Sequence, residues 1–266
     1  SFILRRLLTY RFEKGNGLSG HNFGNLFLTA LRDITGSEIG AIREASRLLH
    51  TSGNVLPVTA DNCKLCARLE DGSVIEGETN IDVPKHDTSL RIVDLFLTPH
   101  ASALPQAISA IRDAEGIILT SGDLFTSLLP NLLVDGISGA IRESKAVKVY
   151  VCNLMTKHGE TDGFRASDFL ITVEKYLGKG VVDTMVCSTF EGTPDILSKY
   201  AAEKSFPVMI DREKIHEYSP LLKTEESMII STPTLIRHDP EKLGELLMSI
   251  VTKRVEDHEN SMHSEL

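Results

Sequence analysis

The pattern that most restricts what this chain can fold into is an alternation of short apolar runs with helix-like segments, sharpest between residues 116 and 130. There Ile117-Ile118-Leu119 reads as a buried parallel strand. Thr120-Ser121-Gly122-Asp123 interrupts it, and residues 124–133 restart as an apolar helical segment. A strand, a glycine turn and a helix start form an anion cradle, because unpaired N–H groups and the positive end of the helix dipole face the turn. The same three parts also make an ordinary βα connection, so the turn alone names no ligand.

The alternation continues in both directions. Residues 105–114, 137–143, 167–177, 194–203 and 240–252 read as helices, and 147–152, 181–186, 208–210 and 228–230 as strands. Asp239-Pro240 is a cap followed by a first-turn proline, and the polar tail from 255 is expected to fray. This is an α/β chain with a mostly parallel sheet flanked by helices. Ligands of such sheets bind beyond the carboxyl ends of the strands. The loops 120–123 and 153–162 both leave such ends, so neighbouring strands would put them in one crevice.

Ahead of the alternation the chain differs. Residues 2–10 read as an amphipathic helix without an entry signal, which suggests that an N-terminal part precedes Ser1. Gly15, Gly17, Gly20 and Gly24 then mark a loop that enters a helix ended by Gly36. Gly20, His21, Asn22 and Asn25 sit at that helix start, either as a second ligand edge or as a plain cap. Ser37 caps the next helix. Residues 63–79 read as a β-hairpin turning at Asp71-Gly72, 82–90 as polar connection, and 92–97 as a further strand. Cys63 and Cys66 form a lone C-x-x-C with no second pair and face opposite sides of a strand, which points away from a metal or redox role.

Composition removes several classes. A formal charge of −9 over 266 residues argues against a general nucleic-acid binder. No run approaches the ~20 apolar residues of a membrane span. Four cysteines do not make a disulfide framework, so a reducing cytoplasm is expected. The histidines lack metal-ligand spacing, and there is no nucleophile elbow or Walker motif. Asn153, Thr156, Thr161 and Asp162 offer amide, hydroxyl and carboxylate groups suited to a sugar, ribose or base. Asp162 and Asp168 are the candidates for a divalent metal beside a pyrophosphate, or else a helix cap and a solvated side chain.

Several motifs together resemble a known family. They are Gly15-x-Gly17-Leu18-x-Gly20-His21-x-x-Gly24-Asn25-Leu26, Asp33-Ile34-Thr35-Gly36, Ala41-Ile42-Arg43-Glu44 and Val55-Leu56-Pro57. To these are added Thr126-Ser-Leu-Leu-Pro-Asn-Leu-Leu-Val, Val149-Tyr-Val-Cys-Asn-Leu-Met-Thr and Gly159-Glu-Thr-Asp-Gly. The set resembles the YvcK/CofD-like family, closest to the YvcK branch of gluconeogenesis factors, across essentially the whole chain. The resemblance implies one Rossmann-like CofD-type domain over residues 1–266, cytoplasmic and homodimeric. It implies a regulator that binds a UDP-sugar, acts on carbon metabolism and cell-wall growth or cell shape, and has regulatory protein partners. The alternatives are a CofD-like 2-phospho-L-lactate transferase using a nucleotide-activated donor and Mg²⁺, and an interaction scaffold with a vestigial site. No catalytic residue follows from the resemblance. The expected ligand contacts are Gly20, His21, Asn22, Asn25, Gly122, Asp123, Thr126, Asn153, Thr156, Thr161 and Asp162.

Two departures from the family pattern bear on the site. The family's opening strand with its glycine-rich turn is expected ahead of Ser1. Where the family reads Gly-Pro-Gly-Ser, this chain has Thr120-Ser121-Gly122-Asp123. A carboxylate at Asp123 repels a phosphate by a few kcal/mol at low effective dielectric unless a cation intervenes.

Overall fold

The computed structural model describes residues 2–14, 17–188, 193–218, 221–224, 229–231 and 235–264. Gly15 and Met228, each part of a sequence expectation, lie outside that set. Contacts divide the chain into two compact units, Ser1–Ala60 and Asp61–Leu266.

The first unit is helical: α1 (Phe2–Leu8), α2 (Phe23–Thr35) and α3 (Glu38–Leu49). Asn22 caps α2 by accepting from the Asn25 amide, and Gly36 ends it in the left-handed region. Ser37 caps α3 through the Gly40 amide. Leu31, Ala41 and Ala45 form its buried centre, with Phe27 packed on them.

The second unit holds two main sheets. β1 (Lys64–Leu69) and β2 (Val74–Glu76) form the expected hairpin. After α4 (Glu78–Asp82), β3 (Ile92–Thr98) adds to the other edge of β1, giving the antiparallel order β2-β1-β3. The expectation of polar connection from residue 82 thus holds only after α4, a short helix that follows Gly77 directly.

After α5 (Pro105–Arg112) comes β4 (Gly116–Leu119), then a π-helical turn (Leu124–Leu128) running into α6 (Leu129–Leu132) and α7 (Ile137–Glu143). The sequence pattern predicts a helical segment over 124–133. Pro130 has no N–H and is accepted only at a helix start, so the chain begins α6 there. The preceding turn widens, with the Leu128 amide reaching back to Asp123 O and the Leu129 amide to Leu124 O. β5 (Val147–Val151), α8 (Ala166–Leu177), β6 (Thr184–Cys187), α9 (Pro194–Ala202), α10 (Arg212–Tyr218) and β7 (Leu221–Thr224) follow. The sheet β4-β5-β6-β7 is parallel throughout. A small antiparallel pair, β8 (Ile229–Ser231) and β9 (Ile236–His238), precedes α11 (Pro240–Ser264).

β5 is the axis of the core. Val147, Val149 and Val151 are buried with Val186, and Leu243, Leu246, Leu247 and Ile250 of α11 cover them. On α8, Phe169, Leu170, Val173 and Leu177 are all fully buried, at the helical spacing that puts them on one face. Among the described residues no helix is long and apolar enough to cross a membrane.

Three further expectations are corrected. Residues 208–210 do not form a strand. The Val208 amide bonds Leu154 O, and Met209 O accepts from the Ala166 amide, so this stretch closes against the loop after β5. The strand expected over 181–186 begins only at Thr184. The C-terminal helix does not stop near 252 with a frayed tail but runs to Ser264.

Candidate functional site

β4 and β5 are adjacent and parallel, so the loops after them leave the same end of the sheet side by side. One hydrogen bond joins them: Asn153 Nδ2 donates to Gly122 O at 2.7 Å. A Cβ at Gly122 would come within 2.9 Å of the Ser127 Cβ, so this turn has no room for a side chain. Around the joined loops lies a cleft of about 970 Å³, near the upper end of small-ligand pockets. It is lined by Gly122, Asp123, Asn153, Thr156 and Thr161 of the expected set, joined by Ser121, Lys157, His158, Tyr200, Arg237 and His238.

The bond to Gly122 fixes the Asn153 amide and leaves its Oδ1 buried without a hydrogen-bond partner. Asn153 itself lines the cleft, so this unpaired acceptor belongs to a lining residue. Across it, Ser121 Oγ lies 3.4 Å from His238 Nδ1. Burial holds the His238 imidazole below its ordinary pKa, and its Nε2 is also buried without a partner.

Other expected residues are occupied in the frame. Thr156 accepts from the Phe206 amide at 2.9 Å, and Thr161 from the Lys157 amide at 2.8 Å. Thr126 does not line the cleft; its hydroxyl faces Glu160 Oε1 at 3.5 Å. Asp162, also outside the lining, accepts from the Gly159 amide and sits 3.0 Å from His158 Nδ1. Asp168 closes the first turn of α8 by accepting from the Arg165 amide, and pairs with Lys214. Each of these two aspartates thus has a local role. In the first unit, His21 is exposed and the Asn22 side-chain oxygen is committed to capping α2.

The cation that Asp123 requires is Lys157. Its Nζ donates to Asp123 Oδ2 at 2.7 Å, lies 3.1 Å from Glu160 Oε1, and makes a very short contact with Asp82 Oδ1. Burial opposes the lysine charge, but Asp123 and Asp82 outweigh it and hold the pKa well above the usual lysine value. Burial pushes the Glu160 carboxyl up to about 7 against the pull of Lys157 and, more weakly, of the Phe125 amide. Gly159 makes this loop possible. It has φ +81°, and a Cβ there would come within 2.7 Å of Pro84 Cγ, in the segment that follows Asp82.

Asp82, Asp123 and Glu160 each bring a carboxylate oxygen within 4.8 Å of the others. Oxygen-only donors suit a hard cation such as Mg²⁺, and Glu160 Oε2 is buried without a hydrogen-bond partner of ordinary geometry, so this trio fits the ion. Sequence reading missed it because its members are far apart in the chain and Lys157 carries no motif. The departure at Asp123 was the one available signal, since it demanded a cation nearby.

The profile of a family described as 2-phospho-L-lactate transferase CofD matches residues 2–226. A protein of Aquifex aeolicus named putative gluconeogenesis factor is 42% identical over 94% of this chain and 75% of its own length. The gluconeogenesis factor of Bacillus subtilis is 37% identical over 94% of this chain and 77% of its own length. A crystal structure of a Bacillus halodurans protein superposes with a TM-score of 0.85 at 38% identity, covering 92% of this chain and 78% of that one.

Proposed function

The chain belongs to the CofD family, in the branch of the gluconeogenesis factors, and from that membership we propose that it is a cytoplasmic regulator whose cleft binds a UDP-sugar or similar nucleotide. The observation that carries this reading is the Asn153–Gly122 bond, which joins two strand-end loops around one polar cleft and leaves an amide acceptor unpaired. An unpaired buried acceptor favours a ligand rich in hydroxyl or N–H donors, as sugars, riboses and bases are. Four free thiols agree with a reducing compartment. Gly122, Asp123, Asn153, Thr156 and Thr161 are the contacts that the cleft lining offers, while Thr126 and Asp162 stand behind them in the loop frame. Gly20, His21, Asn22 and Asn25 are a separate candidate edge, tested by His21→Ala. Control of carbon metabolism and cell-wall growth follows from ligand occupancy, through a homodimer and regulatory partners.

A second reading, transfer of a 2-phospho-L-lactyl group, is favoured by the carboxylate trio. Asp82, Asp123 and Glu160 would hold Mg²⁺, which supplies charge neutralisation at a phosphate, while Asn153 orients the nucleotide. Calorimetric titration with UDP-sugars and with GDP, each with and without Mg²⁺, separates the two. Saturable UDP-sugar binding without turnover supports the regulator. Mg²⁺-dependent GDP binding with product formed from a deazaflavin acceptor overturns it.

A further inference from the structure

We propose that Asp82, Asp123 and Glu160 form a divalent-cation site for which the Lys157 ammonium is the built-in competitor. The three carboxylates come from the end of α4, the turn after β4 and the turn after β5, yet place one oxygen each within 4.8 Å of the others. Lys157 Nζ contacts all three. A purely structural ion cluster satisfies its buried oxygens. This one does not: Glu160, whose side chain is 0% exposed, keeps Oε2 without a hydrogen-bond partner of ordinary geometry. A divalent ion brings twice the charge of the ammonium and can take both oxygens of that carboxylate. Lys157 is able to yield the place: its side chain is 29% exposed, on a flexible four-carbon stem, and it lines the cleft. Cation entry thus releases a positive side chain into the cleft. The site is defined by the carboxylates and does not depend on which organic ligand the cleft takes.

The test uses the whole chain and Mn²⁺ alone, followed by loss of the free-ion paramagnetic resonance signal. Lys157→Met should tighten Mn²⁺ binding about tenfold or more, because the competing charge is gone. Adding Asp82→Asn should weaken it about tenfold or more. Mg²⁺ should displace the bound Mn²⁺, and K⁺ at equal ionic strength should not. Folded Lys157→Met that binds Mn²⁺ no more tightly than wild type overturns the proposal. If that variant does not fold, the wild type decides: saturable binding weakened by Asp82→Asn supports the site. Unchanged binding in Asp82→Asn, or no saturable binding by wild type up to about 10 mM, overturns it.

Discussion

Glu160 gives the sharpest quantitative expectation. Its carboxyl titrates near 7 in the fold against an ordinary value of 4.5, with burial as the main cause. Between these values the folded chain holds a proton that the unfolded chain has released, so stability falls as pH rises from 4.5 and levels off above 7. The shift amounts to about 3 kcal/mol in total, of which roughly 2.5 kcal/mol is lost between pH 5 and pH 8. Glu160→Gln keeps the shape and the neutral form but cannot ionise. Urea denaturation of both proteins in EDTA across that range should therefore show the variant gaining on wild type as pH rises. With a slope of about 2–3 kcal/mol/M, the relative midpoint moves by close to 1 M. A carbon-13 NMR titration of the Glu160 carboxyl gives the same pKa without denaturant. A stability difference that stays flat from pH 5 to pH 8, or a carboxyl titrating near 4.5, refutes the reasoning.

Other expectations follow from the same neighbourhood. Lys157→Met leaves Asp123 and the buried Glu160 without their counter-ion; partial solvent exposure reduces the cost of a fully buried break to about 2 kcal/mol, read as a lower urea midpoint in metal-free buffer. Asn153→Ala removes the bond to Gly122 and should cost about 1 kcal/mol of stability while weakening nucleotide binding several-fold by calorimetry; unchanged affinity would remove Asn153 from the ligand contacts. Gly159→Ala combines a left-handed backbone with a 2.7 Å approach to Pro84 and should destabilise by more than about 1 kcal/mol in thermal melts, whereas Gly163→Ala, also at positive φ but in open space, should cost less.

The elements that the sequence revealed are those fixed by local chemistry. The caps Asn22 and Ser37, the Asp71-Gly72 turn and the proline start of α11 need only their neighbours, and each stands where the pattern placed it. The crevice was legible too, because loops from adjacent parallel strands must share an end of the sheet. What stayed hidden depends on distant partners. Residues 208–210 have the apolar character of a strand, but their backbone groups bond Leu154 and Ala166. The threonines of the Asn153 loop look like ligand groups in sequence, and in the fold the hydroxyls of Thr156 and Thr161 accept backbone amides. Asp162 stood out as an acid in a polar loop and Asp168 as one at the start of the helix after it, whereas the trio around Lys157 draws its first member from beyond the hairpin. No local pattern marks such a convergence.

The sequence separations in that convergence also bear on how the protein is made. Asp82 and Lys157 are 75 residues apart, and Ser121 and His238 are 117 apart. Contacts of that span close late, because long loops must be brought together before anything rewards them. On the ribosome, which releases a chain from its N-terminal end, the wall of the cleft carrying His238 is synthesised last. A nascent chain therefore has β4, β5 and β6 before it has the cleft wall that β9 supplies. A truncated product that ends before β9 lacks the part of the cleft lining that Arg237 and His238 supply.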